Sequence, residues 1–588
     1  MSHPVPFKLI ACGIVLLAAS EVASSPANAA DPPVPPALEC SQLAASMQGH
    51  WPDPSTRIAS AVTNPKGPYS PPTRPGAPPI LPLVLPAHCE VVGVFHERTG
   101  IDGKPYSIRF HVRLPQEWNG RFFFQGGGGS NGVLGDALGM MMPPAAPALL
   151  QGFAVVSQDS GHDNAVNVDP ARGGVLAFGF DPQARADYGH ASLKVVADAA
   201  KALVAVYYAK PPQYSYFVGC SKGGQEGMAF AQLYPDEFDG IVASAPGFSL
   251  PRAALAEAWD VQSIAEAEPH TSGTDQSLAE RLAQFPNVFA DADLAVARDA
   301  VLAACDIADG VKDGMVSDFE QCTMARVAPK LKAKTCAANQ TQGCLSAAQV
   351  GALMKIFAGA KTQDGKALYS AWQWDAGLAS PGWRIWKMGS ADGKIPALNI
   401  VLGGPSLASV FTTPPTPISG SPAEAFGFQL GFNLSRDGAK IDATNSEFQR
   451  SAWADIAARS SDLSGFRAHG GKLIVPHGVS DPVFSIRDTL TWYGEVQHRT
   501  GGQAASFVRV FPVPGMNHCG GGPATDNYDA FAALRDWVEK HQTPERIVAR
   551  AGEASPWPHR SRPLCPYPKV ARYRGQGDIE SEANFECR

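Results

Sequence analysis

One short stretch, from Tyr214 to Pro235, constrains the fold more than any other part of the chain. It reads YSYFVGCSKGGQEGMAFAQLYP, in which an aromatic and β-branched run predicts a strand, a glycine-rich turn follows, and the rest predicts a helix. The turn contains the pattern G-x-S-x-G at residues 219–223, which alone is common in loops. Between a strand and a helix, the glycines permit the sharp bend that lifts a serine hydroxyl off the sheet. We therefore interpret Ser221 as a nucleophile, and a serine that only caps the helix is the alternative.

A nucleophilic serine needs a base, and the base needs an acid that orients it. In hydrolases with this type of turn, the acid and then the base follow the serine along the chain. Asp481 and His518 meet this requirement, because each comes just after a predicted strand, KLIVPHG and VRVFPV. Parallel sheets present their active sites past the ends of such strands. His162 and His477 are rival candidates for the base, and Asp462 and Asp488 for the acid.

Cysteines stand directly beside the predicted nucleophile and base, since Cys220 precedes Ser221 and Cys519 follows His518. If the hydroxyl and the imidazole are within hydrogen-bond reach, the two cysteines lie within disulfide range. We therefore predict a Cys220–Cys519 disulfide, against the alternative that both adjacencies are accidental. Closing so long a loop contributes about 5 kcal/mol to stability as an upper value.

A second glycine-rich segment, FFFQGGGGSNG at residues 122–132, follows another predicted strand. Such a loop lets backbone amides approach a reacting carbonyl group, as an oxyanion hole requires. We expect the amides of Gly129 and Lys222 to hold the developing negative charge. A nucleotide-phosphate loop is the alternative, but the segment has neither G-x-G-x-x-G spacing before a helix nor the lysine of a P-loop.

An acidic loop, CDIADGVKDGMVSDFEQC, spans residues 305–322. Its carboxylates and interspersed glycines suit Ca²⁺, although the spacing is not that of an EF-hand. The predicted ligands are three side chains and two backbone carbonyls, those of Asp306, Asp309, Asp313, Val311 and Met315. A solvated acidic turn is the alternative. The loop is far in sequence from the predicted catalytic residues, so we expect a structural calcium ion, and we expect no organic cofactor.

Residues 1–29 have the pattern of a secretory signal peptide. Lys8 precedes an apolar run that is too short to span a bilayer, and Ala27-Asn28-Ala29 offers a cleavage site. We therefore expect a secreted or periplasmic protein with no membrane segment after cleavage. Ten of the eleven cysteines remain in the mature chain, and an even number in an exported protein suggests a disulfide framework.

Strands alternate with helices on both sides of a long irregular region, which predicts an α/β fold with a mostly parallel sheet. We place the first part of the core at residues 30–250, an insertion at 251–465, and the second part of the core with the C-terminal tail at 466–588. A net charge of −7 argues against a nucleic-acid partner. The sequence contains no indication of the oligomeric state, for which a monomer is the expectation.

Taken together, GCSKGG, HGVSD, PGMNHC, the acidic loop and the tail RPLCPYPKVARYRGQGDIESEANFEC resemble the tannase and feruloyl esterase family. The resemblance covers nearly the whole mature chain. It implies an α/β-hydrolase fold with a doubly wound sheet, a large inserted lid domain that carries calcium, and small aromatic esters as substrates. It also implies five disulfides: Cys40–Cys89, Cys220–Cys519, Cys305–Cys322, Cys336–Cys344 and Cys565–Cys587. Carried over by position, Leu250, Trp386 and Phe484 would clamp the aromatic ring, with His477 nearby, whereas burial in the lid core is the alternative.

Within the family, the stretches EWNGRFF, GHDNAVN, AFGFDPQAR and FPVPGMNHC resemble hydrolases of terephthalate monoesters. In those enzymes a lid arginine holds the free carboxylate of the substrate, and the matching position here is Leu398. Lys394 is a candidate replacement without the forked geometry of arginine, and Lys222 adds positive charge near the pocket.

The sequence therefore predicts a serine esterase that acts through an acyl-enzyme on esters of aromatic carboxylic acids, of the feruloyl, gallate or terephthalate-monoester type. A terephthalate monoester hydrolase proper is one alternative. A non-catalytic, calcium-dependent binding protein is a second, and a serine peptidase is a third.

Overall fold

The computed structural model describes residues 32–70, 82–141, 144–268 and 276–588. The predicted signal peptide at residues 1–29 lies outside the described residues. The strands of the described part are β1 (Arg57–Asn64), β2 (Gly67–Tyr69), β3 (Leu83–Leu85), β4 (His88–Thr99), β5 (Pro105–Pro115), β6 (Arg121–Gln125), β7 (Ala154–Gln158), β8 (Tyr214–Cys220), β9 (Gly240–Ser244), β10 (Lys472–Gly478), β11 (Val508–Val513), β12 (Ile547–Arg550), β13 (Ser561–Leu564), β14 (Ala571–Tyr573) and β15 (Phe585–Cys587).

The helices of the same ranges include several single turns. They are α1 (Leu43–Ser46), α2 (Pro182–Ala186), α3 (Ser192–Tyr208), α4 (Lys222–Leu233), α5 (Leu250–Ala265), α6 (Leu278–Gln284), α7 (Asp291–Cys305), α8 (Met324–Lys332), α9 (Ala347–Phe357), α10 (Pro381–Lys387), α11 (Gly404–Ser409), α12 (Pro422–Gly431), α13 (Leu434–Asp437), α14 (Ala452–Ile456), α15 (Ser464–His469), α16 (Ile486–Arg499) and α17 (Ala530–Lys540).

Nine strands form one mixed central sheet in the order β1-β4-β5-β7-β6-β8-β9-β10-β11. The strands from β7 to β11 pair in parallel, as the alternation of strands and helices predicts. The opposite end of the sheet differs, because β1, β4, β5 and β7 pair antiparallel. A connection as short as that between β4 and β5 leaves no room for a crossover helix, so those two strands run antiparallel.

Helices cover both faces of the sheet. Side chains alternate along a strand, so Phe122 and Phe124 of β6 belong to one buried cluster and Phe123 to another. The first cluster includes residues of α3, α4 and α16, and the second includes residues of α17. Strands buried on both faces read as continuous apolar runs, and all five residues of β7 are buried. The parallel strands therefore end at one edge of a rigid, doubly covered sheet.

The segment between β9 and β10 contributes the helices α5 to α15 and no strand among the residues that the structure describes. Its apolar side chains form a third buried cluster, which also contains Phe178, Val483 and Phe484 from outside the segment. The predicted insertion is thus a helical body packed over the loops that leave the sheet. Its limits at 251 and 465 stay a prediction, because its packing continues into the loop after β10.

All five disulfides that the resemblance implies are present: Cys40–Cys89, Cys220–Cys519, Cys305–Cys322, Cys336–Cys344 and Cys565–Cys587. The last of them ties the C-terminal strand β15 to the chain just after β13.

Over the described ranges, no helix combines the length and the apolar character that crossing a bilayer requires.

Candidate active site

Ser221 stands in a sharp turn between β8 and α4. Its backbone has φ 65° and ψ −120°, a conformation that is strained for a residue with a side chain and is typical of a nucleophile at this kind of bend. The flanking glycines are sterically required, because a Cβ on Gly219 would lie 2.5 Å from the backbone of Gly223. A Cβ on Gly223 would in turn lie 2.7 Å from the carbonyl oxygen of Gly127. The five-letter motif is therefore explained by the geometry of the turn.

Asp481 and His518 come from the loops after β10 and β11, which are adjacent in the sheet. The Nδ1 atom of His518 is 2.9 Å from Oδ2 of Asp481. The backbone N–H groups of Val483 and Phe484 donate to the other oxygen, at 2.8 and 3.0 Å. Burial would raise the pKa of Asp481, but His518 and then His477 outweigh burial, so that the pKa is lowered. Asp481 is therefore held as a carboxylate beside one nitrogen of the His518 ring.

A disulfide holds the chain at His518 close to the chain at Ser221. The Cys220–Cys519 disulfide, with Cα atoms 6.1 Å apart, joins the residues next to Ser221 and His518. The Nε2 atom of His518 is buried and has no hydrogen-bond partner among the described residues. The ring centroids of Trp386 and Phe484 lie 5.6 and 5.3 Å from that of His518, both edge-on. A buried imidazole nitrogen without a partner is available to accept a proton.

The glycine-rich loop after β6 packs against the turn that carries Ser221. A Cβ on Gly126 would lie 2.9 Å from the Cα of Gly219, so that only glycine permits this approach. Gly129 has φ 59°, and it lines one cavity together with Ser221 and Lys222. Lys222 is the first residue of α4, where backbone N–H groups have no partner within the helix. The two amides predicted to stabilise an oxyanion thus border the same space as the Ser221 side chain.

A buried carboxylate, that of Glu226, holds the glycine-rich loop. One of its oxygens accepts from the N–H of Gly127 at 2.9 Å, and the other accepts from Asn131 at 2.7 Å. The ammonium of Lys222 lies 3.0 Å from the second oxygen, and both side chains are almost fully buried. The hydroxyl of Tyr188 donates to the carbonyl of Gly129 at 3.1 Å. The loop is therefore fixed from two sides.

The side chain of Lys222 does not face the substrate space as a free cation. It is engaged by Glu226, and its ammonium lies 4.6 Å from the centre of the Tyr188 ring. Lys394, the candidate replacement for the lid arginine, has an 81% exposed side chain that pairs with Asp392 at 2.9 Å. Leu398, the matching position, directly precedes a π-helical turn, Asn399–Gly403. Each of the two lysines is therefore paired with a carboxylate of this chain, and a role of Lys394 in place of the arginine stays a prediction.

A cavity beside Ser221 is lined mainly by apolar side chains. Its lining comprises Gly129, Tyr188, Ser221, Lys222, Leu250, Ala254, Glu257, Trp386, Leu402, Gly403, Ser406, Phe411, Val483 and Phe484. Three of the four predicted substrate-binding residues, Leu250, Trp386 and Phe484, belong to this set. A second, larger cleft shares Gly129 with the cavity and extends along the glycine-rich loop. The space beside the serine is therefore bordered by two aromatic rings, those of Trp386 and Phe484, and by aliphatic side chains.

His477, the fourth predicted substrate-binding residue, lies behind Asp481 and is fully buried. Its Nδ1 atom is 2.9 Å from the hydroxyl of Thr489, and Nε2 is 3.0 Å from the carbonyl oxygen of Phe484. Nε2 is also 3.5 Å from Asp481. The structure therefore gives His477 a position that supports Asp481 rather than one that lines the cavity.

Three further candidates for the base and the acid, His162, Asp462 and Asp488, lie away from the cavity lining. His162 stacks on Phe178 with ring centroids 3.8 Å apart, and burial lowers its pKa to about 4. Asp462 is exposed and accepts from the N–H of Ser464. Asp488 pairs with Arg459 at 3.1 Å. None of the three pairs with a residue of the turn that carries Ser221, and the contact between Asp481 and His518 therefore supports those two as acid and base.

The acidic loop is closed by the Cys305–Cys322 disulfide. Of the three aspartates predicted as ligands, Asp309 and Asp313 are buried and Asp306 is partly buried. Asp306 accepts from the N–H groups of Asp313 and Gly314, and Asp309 accepts from those of Val311 and Ser317. Burial and then the like charge of Asp313 raise the pKa of Asp309 to about 6.

One oxygen of Asp313 lies 2.5 Å from Arg562 of the C-terminal tail. Within the ranges that the structure describes, no three His, Cys, Asp or Glu side chains converge to hold a metal ion. The donor set has the chemistry of a calcium loop, and its ligand geometry is not assembled here.

Four residues of the site escaped the sequence reasoning: Glu226, Asn131, Tyr188 and Glu257. Glu226 follows Lys222 by four residues, the spacing at which helical side chains meet, so this pair had a signal in the sequence. Asn131 lies within the glycine-rich segment at residues 122–132, so its neighbourhood was marked although the residue itself was not. Tyr188 and Glu257 contact the site through long-range folding, and nothing near them in sequence marks them.

The sequence of this chain is similar to those of known esterases and hydrolases. A family model described as tannase and feruloyl esterase matches residues 89–588. The mono(2-hydroxyethyl) terephthalate hydrolase of Piscinibacter sakaiensis is 43% identical over 522 residues, which cover 86% of this chain and 85% of that one. A probable feruloyl esterase of Arthroderma benhamiae is 32% identical over 84% of this chain and 85% of its own.

Solved structures are similar at the level of the fold. The crystal structure of feruloyl esterase B from Aspergillus oryzae has a TM-score of 0.68 at 23% identity and covers 94% of this chain and all of its own. Tannin acyl hydrolase from Aspergillus niger has a TM-score of 0.62 at 18% identity, with 93% and 95% coverage.

Proposed function

The chain belongs to the tannase and feruloyl esterase family and is a carboxylic ester hydrolase, and from this premise we propose that it hydrolyses esters of aromatic carboxylic acids through an acyl-enzyme. The observation that carries the proposal is the cavity that Ser221 shares with Trp386 and Phe484, whose rings also flank His518. A planar acyl group bound between such side chains brings its carbonyl to the serine, the imidazole and the glycine-rich loop. The names of the relatives, which include feruloyl and terephthalate esterases, agree with this chemistry.

In the proposed mechanism, Ser221 Oγ attacks the ester carbonyl while Nε2 of His518 takes its proton. Asp481 accepts a hydrogen bond from Nδ1–H, which fixes the tautomer and stabilises the imidazolium. The amides of Gly129 and Lys222 bind the negative charge that develops on the carbonyl oxygen. His518 then protonates the leaving alcohol, and a water molecule releases the aromatic acid by the same steps in reverse order. The larger cleft beyond Gly129 offers room for the alcohol.

We further propose that the core has the α/β-hydrolase fold, with the segment between β9 and β10 as its lid. A strand, a sharp turn with the nucleophile and a helix, followed along the chain by the acid and the base, are the marks of that fold. The position of α5 to α15 over the loops after β9, β10 and β11 supports the lid. Secretion or export to the periplasm is part of the same proposal, because the mature chain carries five disulfides.

The acidic loop between Cys305 and Cys322 is proposed to bind a structural calcium ion through Asp306, Asp309 and Asp313 with the carbonyls of Val311 and Met315. Support comes from the burial of Asp309 beside the like charge of Asp313, since both raise the pKa of Asp309. A bound Ca²⁺ would supply charge neutralisation to the loop, and no catalytic step depends on it. Binding requires Asp313 to share its carboxylate between the ion and Arg562.

The proposal is tested by steady-state hydrolysis of methyl ferulate, a gallate ester and a terephthalate monoester with the purified protein. We expect turnover of at least one of these esters, and we expect Ser221→Ala to reduce kcat by at least about 10⁴-fold, since the serine forms the covalent intermediate. Ser460→Ala, on an exposed loop, is the matched control and keeps the activity. Equal and slow hydrolysis by the wild type and Ser221→Ala would contradict the enzyme mechanism.

A further inference from the structure

Glu257 is a titratable residue that lines the cavity beside Ser221, and the proposed mechanism does not use it. It lies on α5, two turns after Leu250, and is 6% exposed. Its carboxyl group borders the cavity and has no hydrogen-bond partner among the described residues. A Cβ on Gly403 would lie 2.0 Å from Oε2, so the glycine there makes room for this carboxyl group. A polar group in a cavity that no protein atom satisfies is costly unless a water molecule or a ligand binds it.

The charged groups around Glu257 are already paired with one another. Lys387 of α10 lies 2.5 Å from Asp260, which is on the same helix as Glu257. Lys222 of α4, which lines the same cavity, is engaged by Glu226. The remaining titratable side chains close to it are the phenols of Tyr188 and Tyr369. The cavity therefore contains an acid without a cation of its own.

Burial raises the pKa of Glu257 to about 8, a shift that Lys387 reduces and Asp260 increases. Near neutral pH the group is thus an uncharged carboxylic acid, which can both donate and accept a hydrogen bond. Above pH 8 it becomes an anion in a cavity lined mainly by apolar groups. An anionic substituent on the substrate would then face a like charge at close range.

We propose that Glu257 is a specificity-determining residue for the acyl half of the substrate: as a neutral acid it exchanges hydrogen bonds with a polar substituent on the aromatic ring, and as an anion it repels an anionic substituent. The inference rests on the proposed function, because it assigns the cavity to the acyl group. The inference also fits the absence of the lid arginine, because this cavity presents the acid Glu257 in place of a free cation. Above pH 8 the preferred substrates are therefore esters of aromatic acids with an uncharged hydroxyl or amide group on the ring.

The test compares monomethyl terephthalate with methyl 4-carbamoylbenzoate between pH 6 and 9.5. The two esters differ only in the para substituent, a carboxylate in the first and an amide of similar shape in the second. The carboxylate of the first is ionised and the amide of the second is neutral throughout this range. For the wild type, the ratio of kcat/KM values, anion over amide, should fall about tenfold from pH 7 to pH 9. This follows because the protonated fraction of a group with a pKa of about 8 falls from about 90% to about 10%.

In Glu257→Gln, which keeps the shape and cannot ionise, we expect the ratio to be independent of pH and about tenfold above that of the wild type at pH 9. Glu266→Gln, at the exposed end of the same helix, is the control and keeps the wild-type slope. A ratio that is flat in the wild type, or that still falls in Glu257→Gln, overturns the inference. If Glu257→Gln does not fold, the wild-type profile alone decides.

Failure of the inference and failure of the proposed function give different results. If hydrolysis of the amide ester requires Ser221 but the ratio does not change with pH, only the role of Glu257 is wrong. If neither ester is a substrate, the two corresponding acids are compared as competitive inhibitors of the best ester in the panel, with the same expected ratio. If no ester is hydrolysed in a Ser221-dependent manner, the proposed function itself fails.

Discussion

The carboxylate of Glu226 contacts the backbone of the glycine-rich loop, Asn131 and the ammonium of Lys222. Breaking a buried ion pair by neutralising one partner costs about 3–5 kcal/mol, because the other charge is left without a counterion. We predict that Glu226→Gln lowers both the melting temperature and kcat, the latter by about tenfold or more, since the loop carries a predicted oxyanion donor. Thermal denaturation and steady-state kinetics measure the two effects.

The control for this change is the exposed pair Arg57–Glu97, in which both side chains are 55% exposed. Glu97→Gln should leave the melting temperature and kcat almost unaltered, because solvent and salt screen an exposed ion pair. Wild-type kcat in Glu226→Gln would show that the loop does not depend on this carboxylate.

Two aspartates that the sequence offered as the triad acid differ in their contacts, and a matched pair of variants separates them. Asp481 is 2.9 Å from Nδ1 of His518, whereas Asp488 pairs with Arg459. Asp481→Asn should lower kcat by about 10⁴-fold, because the amide favours the wrong tautomer of the imidazole. Asp488→Asn should change kcat by less than about tenfold. The reverse order of the two effects would assign the acid to Asp488.

At this scale, the sequence could nominate the residues of the predicted triad, because each follows a strand or a motif whose geometry is local. Glu257 could not be found, because its significance arises only when α5, α10 and the loop after β10 enclose one cavity. The substrate-binding role of His477 stays a prediction, and its two ring nitrogens contact the hydroxyl of Thr489 and the carbonyl of Phe484.

Among the connections between elements, the Cys220–Cys519 disulfide joins the end of β8 to the loop after β11 across 299 residues. Its removal in Cys220→Ser/Cys519→Ser should destabilise the protein by up to about 5 kcal/mol. The loss of kcat should exceed what the loss of folded protein explains, because Ser221 and His518 are then held only by packing. Chemical denaturation and kinetics at low temperature measure both.

The double variant Cys336→Ser/Cys344→Ser is the control, since that disulfide closes a span of only 8 residues. We expect a loss of about 2–3 kcal/mol from the loop-entropy relation and an unchanged kcat for the folded protein. Equal effects on kcat from both double variants would mean that the first disulfide has no special role in the site.

Asp375 of the inserted segment contacts two loops of the site, and nothing in the sequence marked this residue. It accepts from the hydroxyl of Ser480 at 2.8 Å and from the N–H of Gly515 at 2.6 Å, so it joins the loops after β10 and β11. Burial raises the pKa of Asp375 to about 6. The sequence predicted an insertion from its irregular pattern, but its helices and their contacts depend on packing that no local period reveals.

For the molecule as a whole, the proposed calcium loop links stability to pH. Burial and Asp313 raise the pKa of Asp309 from 3.8 to about 6, so between these values the folded state binds more protons than the unfolded state. Without calcium, stability should therefore fall as pH rises from about 4 to 6. Calcium opposes this loss, because it binds the ionised carboxylates, and at a hundredfold excess over Kd it adds about 2.7 kcal/mol.

We predict that EDTA lowers the melting temperature more at pH 7.5 than at pH 5, and that Asp309→Asn reduces this difference. Differential scanning calorimetry with and without EDTA, followed by addition of Ca²⁺ in excess, measures it. An identical melting temperature with EDTA and with calcium at pH 7.5 would exclude a calcium ion in the loop.

The overall architecture was predicted correctly where local pattern decides it. Alternating strands and helices predicted the parallel half of the sheet. The antiparallel half was not predicted, because the direction in which two strands pair depends on the connection between them. The five disulfides were obtained from the family resemblance, apart from Cys220–Cys519, which the neighbouring serine and histidine predicted.

The most direct test of the central claim is covalent labelling of the protein with an aryl phosphonate, in which the serine oxygen bonds to phosphorus and the aryloxide leaves. Peptide mass spectrometry should find one phosphonyl group on the peptide that contains Ser221, with esterase activity lost in proportion. Labelling should be absent in Ser221→Ala and slow in His518→Ala. An adduct on another residue with Ser221 unmodified, or full activity after Ser221 is labelled, would contradict the account.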